Sequence, residues 1–167
     1  MNLIKYYISG LYILVLWSCK GNSPAKTMML PDDLEYIGGD SLVDNHNSGI
    51  TIVAFINGDC YCGIEDLAAW RSLLKKQELK DIPVSFYVYS ANYFQFEEMA
   101  TELIGEDLCI YFDRKNEFRT KNGLDESNQN LAFLLDSEYK ILFQGDLLRD
   151  ARVRQQFIDV IKINEEK

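Results

Sequence analysis

Apolar and polar positions fall in short blocks along this chain, and the sharpest block is the run Ile-Thr-Ile-Val-Ala-Phe-Ile from Ile50 to Ile56. A nearly unbroken, β-branched apolar run of this length reads as a strand buried on both faces. Asn57, Gly58 and Asp59 end it with turn chemistry. The period then changes, and Ile64, Leu67, Trp70, Arg71 and Leu74 share one stripe of a helix. Lys80-Asp81-Ile82-Pro83 breaks the chain before a second strand, Val84 to Tyr89. Pro83 fits a strand's first position, where no ladder donor is needed. Asn92 reads as an N-cap ahead of Phe96, Met99, Ala100, Leu103 and Ile104 at helical spacing, with Gly105 as the stop. Leu108 to Phe112 is a third strand, and a short helix fits near Glu117 to Asn122 within an otherwise polar stretch. Two apolar runs, Asn130 to Asp136 and Lys140 to Gly145, flank Ser137-Glu138-Tyr139 and predict a hairpin. Val153, Phe157, Val160 and Ile161 then make an amphipathic C-terminal helix.

The first fifty residues follow different rules. Met1 to Lys5 is a short positive segment, and Tyr6 to Trp17 is largely apolar, too short to span a bilayer and suited to a signal peptide. Residues 20–33 are polar and aperiodic and read as a tether. Leu34 to Val43 reads as a short edge strand interrupted by Gly38-Gly39, and Asp44 to Gly49 is a loop.

Composition changes this picture little. The 167 residues are 47% apolar and carry a net charge of −9, with no basic stripe, which argues against nucleic-acid binding. Four cysteines, at 19, 60, 62 and 109, are too few and too unevenly spaced for a disulfide scaffold. Cys60 and Cys62 sit where a buried strand hands over to a helix N-terminus, a place that stabilises an anion such as a thiolate. Cys109 lies in an apolar strand and reads as a small buried hydrophobe. Trp70 belongs to the core. Tyr61 faces solvent or a partner, and the pairs Glu65-Asp66, Glu97-Glu98 and Glu165-Glu166 are helix-surface charges.

Strand, polar turn, paired cysteines and helix resemble the active-site segment of thioredoxin-fold proteins, most of all the membrane-tethered bacterial thioredoxin-like lipoproteins. The family's Trp-Cys-x-x-Cys is here Asp59-Cys60-Tyr61-Cys62, one residue shorter and without the tryptophan. Leu16-Trp17-Ser18-Cys19 resembles the lipobox, in which the peptide is cleaved before a cysteine that becomes lipid-modified. The resemblance covers roughly Ile50 to Ile163. It implies an α/β, thioredoxin-like domain: a central mixed sheet flanked by helices, with a helix–strand insert at residues 92–112 between the βαβ and ββα halves. Residues 1–18 would be signal peptide, 19–33 a lipidated tether and 34–167 the domain. Without residues 1–18 the chain holds 16 basic and 26 acidic residues, a net charge of about −10.

By the same resemblance, the family's cis-proline before the first hairpin strand shapes the substrate groove and keeps metal off the thiols. That stretch here is Ser127-Asn128-Gln129-Asn130-Leu131, and the prolines are 24, 31 and 83. Three readings of Cys60 and Cys62 therefore stand side by side. The first is thiol–disulfide exchange with client thiols, needing no cofactor, with Cys60 as nucleophile and Cys62 as resolving thiol. The ring is smaller than in Cys-x-x-Cys and is expected to open more readily, while the Asp59 carboxylate works against thiolate formation. The second is a redox-silent binding module. The third is soft-metal handling, of copper or zinc, with His46, the single histidine, as third ligand. The expected location is the periplasmic side of a bacterial envelope, held to the membrane through Cys19.

Overall fold

The computed structural model describes residues 26–37, 49–76, 79–104, 108–125 and 131–165. Cys19, the lipobox, His46, Gly38-Gly39, Gly105 and residues 126–130 lie outside them. Six strands and four helices follow in the order β1 (Glu35–Ile37), β2 (Ile50–Asn57), α1 (Tyr61–Leu74), β3 (Val84–Tyr89), α2 (Tyr93–Ile104), β4 (Cys109–Phe112), α3 (Glu117–Asn122), β5 (Ala132–Asp136), β6 (Ile141–Gly145) and α4 (Ala151–Glu165). One mixed sheet holds all six strands, in the order β1-β4-β3-β2-β5-β6. β2, β3 and β4 run parallel through the crossover helices α1 and α2, and β1, β5 and β6 pair antiparallel to their neighbours.

The seven-residue apolar run is explained by its place between β3 and β5. Alternate residues of β2 feed two separate cores. Ile52, Ala54 and Ile56 pack with Ile64, Leu67 and Trp70 of α1, Phe96 of α2 and Phe157 and Ile161 of α4. Val53 and Phe55 point the other way, to Tyr87, Phe133 and Phe118 of α3. The Phe55 ring stacks on Phe118 at 5.8 Å, and the edge of Trp70 meets Phe86 at 5.5 Å. Trp70 and Cys109 are buried, as expected.

Three details of the sequence reading change. The buried stripe of α1 runs Ile64, Leu67, Trp70 and Leu73, so Leu73 takes the inward place assigned to Arg71. Asp66, expected on the helix surface, is buried and accepts from Nη2 of Arg149 at 2.8 and 3.0 Å. Residues 26–30, expected within a tether, are docked on the domain. Thr27 bridges Lys140, Ile141 N donates to Lys26 O at 2.9 Å, and Met28 is 4% exposed. This pairs the backbone of the hairpin turn and of Ile141, at the start of the edge strand β6.

The polar stretch after β4 is shaped by two buried side chains. Asp113 accepts from the backbone N–H groups of Glu117 (2.9 Å) and Phe118 (2.6 Å), capping α3 from inside the fold. Asn122, 2% exposed, accepts from Met29 N and donates to Met29 O, so α3 also holds the N-terminal segment. Ion pairs of Lys121 with Asp32, Lys115 with Asp33 and Arg114 with Glu35 continue this seam on the surface. The hairpin turn forms as expected, with Asp136 Oδ1 accepting from Glu138 N and Lys140 N and Tyr139 at φ 60°.

Candidate functional site

The site lies beyond the carboxyl end of β2, the position where open α/β sheets place their ligands. Gly58 and Asp59 leave the sheet there and Cys60 caps α1, with Gly63 N donating to Cys60 O at 3.0 Å. Cys62 therefore occupies the second helical position, within the turn whose N–H groups carry the positive end of the helix dipole. Cys60 and Cys62 are joined by a disulfide, with Cα atoms 5.2 Å apart, inside the ordinary range for such a bond. Both are half-buried. Tyr61 between them is 64% exposed, as expected for a residue that the turn leaves without a place in the core.

Close backbone packing holds this corner. A Cβ on Gly63 would lie 3.1 Å from the carbonyl carbon of Asn57 and closer still to its oxygen. The helix start is thus seated directly on the strand end, and glycine is what allows it. Gly58 N donates to Tyr89 O (2.7 Å), and a Cβ on Gly58 would meet Ser90 Cβ at 2.9 Å. Asp59 Oδ1 accepts from Ala91 N at 2.6 Å. These bonds tie the loop that leads into Cys60 to the β3–α2 loop. At the start of α2, Asn92 Nδ2 donates to Gln95 Oε1 and Asn92 O accepts from Phe96 N, matching the expected cap position. The next residue after Tyr93 is Phe94, 76% exposed.

The Asp66–Arg149 pair sits along the same helix and locks α1 to the β6–α4 loop, where Arg149 also meets Asp146 at 3.3 Å. Burial pushes the Asp66 carboxyl up from its ordinary range, and the Arg149 guanidinium pulls it back only in part. Sequence reasoning missed Asp66 and Asn122 because each reads as an exposed polar residue until its partner arrives from elsewhere in the fold, whereas Asp113, whose partners are the nearby Glu117 and Phe118 N–H groups, could have been found as the acceptor placed just before a short helix.

No protein-family model and no curated protein sequence matches this chain. Solved structures do match it. A DsbE-type thiol:disulfide interchange protein from Chlorobium tepidum aligns over 84% of this chain and 96% of its own, with a TM-score of 0.59 at 15% identity. The fold is thioredoxin-like. The exposed lipoprotein thioredoxin Etrx1 of Streptococcus pneumoniae aligns over 76% of this chain and 98% of its own, with a TM-score of 0.53 at 14% identity. A cysteine-to-serine mutant of PrxQ from Xylella fastidiosa aligns over 84% of this chain and 96% of its own, with a TM-score of 0.59 at 12% identity. The helix–strand insert expected at residues 92–112 is present in this thioredoxin-like domain as α2 and β4.

Cys60 and Cys62 come together as the sequence suggested, while Cys109 lies at the amino end of β4, away from them in the sheet, opposite Ser85. Among the described residues no group of three histidine, cysteine, aspartate or glutamate side chains is arranged to hold a metal. No helix among them is long and apolar enough to cross a membrane.

Proposed function

We propose that this chain is a lipid-anchored thiol–disulfide exchange protein of the bacterial envelope, facing the periplasm and acting on protein clients through Cys60 and Cys62. The observation that carries the reading is the bond between these two cysteines at the N-terminus of α1 in a thioredoxin-like domain.

In the oxidised protein a client thiolate attacks Cys60 Sγ. The Cys60–Cys62 bond breaks, and Cys62 leaves as a thiolate in the first turn of α1, where the helix dipole favours it. The client's second thiolate then attacks the client sulfur of the mixed disulfide and expels the Cys60 thiolate. The client leaves with a disulfide, and Cys60 and Cys62 hold the two electrons. Run backwards, Cys60 attacks a client disulfide and Cys62 resolves it. Neither direction requires a cofactor.

The test is a redox titration of the purified domain. The pair is expected to cycle between two thiols and one disulfide at a potential above about −300 mV, since structural disulfides lie lower. Cys60→Ser and Cys62→Ser should each abolish the transition. A double-serine variant that fully supports cellular function would end the exchange reading and leave a binding module. Tight copper or zinc uptake by the reduced form, lost in Cys60→Ser, would favour metal handling. The anchor is tested separately: Cys19→Ala should release the protein from membranes, and wild-type protein carrying an unmodified Cys19 would refute it.

A further inference from the structure

Two of the large apolar side chains most exposed among the described residues, Tyr61 and Phe94, lie at the starts of α1 and α2. The loops that precede them are fastened together by the Asp59–Ala91 and Ser90–Gly58 hydrogen bonds, so the two helix starts form one corner beside the cysteine loop. From Phe94 the outer stripe of α2 continues through Glu97, Glu98, Thr101 and Glu102, and these residues line an open groove. The opposite stripe, Phe96 and Ala100, is buried in the core, so the groove faces outward. α2 contains no lysine or arginine, and among the described residues no ion pair engages Glu97, Glu98 or Glu102. Glu98 and Glu102 are like charges one turn apart, which weakens a helix standing alone. Glu97 also accepts from the Tyr93 hydroxyl, over whose ring the Arg114 guanidinium lies at 4.1 Å, so Glu98 and Glu102 are the carboxylates most available to a partner. An exposed phenyl ring followed by these carboxylates is complementary to a polypeptide that carries an apolar residue and then cations.

We infer that the α2 face is where the partner protein docks, and that the partner's cysteine is flanked by an apolar side chain and a run of lysine or arginine. This rests on the exchange reading and names its substrate class. The apolar side chain lies between Tyr61 and Phe94 and brings the partner sulfur to Cys60. The cations lie along Glu97, Glu98 and Glu102. The stripe from Phe94 to Glu102 is about 12 Å long at 1.5 Å per residue, the span of about four residues of extended chain. A partner of this kind is also drawn toward a chain whose net charge is −9.

Calorimetric titration with two synthetic peptides tests the inference without redox chemistry. Both have a central serine in place of cysteine and one leucine; one has an arginine-rich flank, the other a glutamate-rich flank. The basic peptide should bind about tenfold more tightly at low salt, and the preference should fade at about 0.5 M salt, where exposed charges are screened. The triple variant Glu97→Gln, Glu98→Gln, Glu102→Gln should remove the preference, and Phe94→Ala should weaken the basic peptide severalfold. Glu138→Gln, on the hairpin turn at the far end of the sheet, should leave it intact. Equal binding of the two peptides, or a preference that survives the triple variant, overturns the inference. The cysteine forms of the same peptides separate the two claims. Failure of exchange with both, alongside intact selective binding of the serine forms, would count against the redox reading and not against the docking face.

Discussion

Substituting Gly63 by alanine isolates how firmly the active corner is built. Helix propensity alone favours the change, since alanine replaces glycine in a helix with a gain of about 1 kcal/mol. Local packing opposes it. The added Cβ would sit 3.1 Å from the Asn57 carbonyl carbon and 3.3 Å from Gly58 Cα, with the Asn57 oxygen nearer still. Carbon atoms in good contact stay roughly 3.5–4.0 Å apart, so the start of α1 must lift by something on the order of 1 Å. The obstructing atoms are backbone at the end of β2, held to β3 by the Asn57–Tyr89 pairing and the Gly58 N to Tyr89 O bond, so no rotamer change relieves the contact. Lifting the helix also loosens Ile64 and Leu67, which are 1% and 0% exposed. Overpacking of this kind costs about 1–3 kcal/mol. Because the obstructing atoms are backbone, the cost falls in the upper part of that range and outweighs the propensity, for a net loss of up to about 2 kcal/mol, small enough against typical domain stabilities for the variant to stay folded. Urea unfolding should show a lower midpoint at unchanged slope. Reduction by dithiothreitol should also change in rate, because the helix turn that carries Cys62 has moved. A Gly63→Ala protein as stable as wild type, or more stable, would refute the close-packing argument.

In reduced protein at neutral pH, limiting iodoacetamide should label Cys60 before Cys62, with Cys109 protected until unfolding because it is 7% exposed on β4; earlier labelling of Cys62 would reverse the assigned roles. Asp59→Asn keeps an oxygen to accept from Ala91 N and removes only the charge, so Cys60 labelling should quicken by up to a few-fold, and an unchanged rate would exclude the carboxylate's influence. Arg149→Met leaves the buried Asp66 without its cation and should lower stability at pH 7 by about 1–3 kcal/mol, less than for a fully buried pair because Arg149 is 52% exposed. The folded-state pKa of Asp66 is raised above its unfolded value, so its favourable contribution is complete below the unfolded pKa and is lost as pH rises through the folded one. The Arg149→Met deficit should therefore shrink as pH falls through the carboxylate range, and a deficit independent of pH in urea midpoints would show that the pair is not its source.

What the sequence by itself determined is local. An apolar run of seven can satisfy itself only as a strand covered on both faces, and Ile52, Ala54 and Ile56 against Val53 and Phe55 divide between two cores as that requires. Strand, turn and helix periods placed Cys60 and Cys62 at a helix start from their order alone, since neighbours two residues apart cannot be separated by folding. The hairpin and the short helix at Glu117–Asn122 were legible for the same reason.

Tertiary structure decided everything that depends on a distant partner. Asp66 reads as surface charge because nothing within a helix turn marks it; its burial follows from Arg149, 83 residues away. Asn122 looks like the exposed polar end of a short helix until Met29, 93 positions earlier, returns to it. Residues 26–30 have no periodicity, and they dock where the backbone of Tyr139 to Ile141, at the start of β6, has hydrogen-bonding groups to satisfy. The union of the cysteine loop with α2 likewise depends on Asp59 reaching Ala91 across 32 residues. A pattern along the chain records which face a residue prefers, whereas the pairing of polar groups is set by which elements the sheet brings side by side.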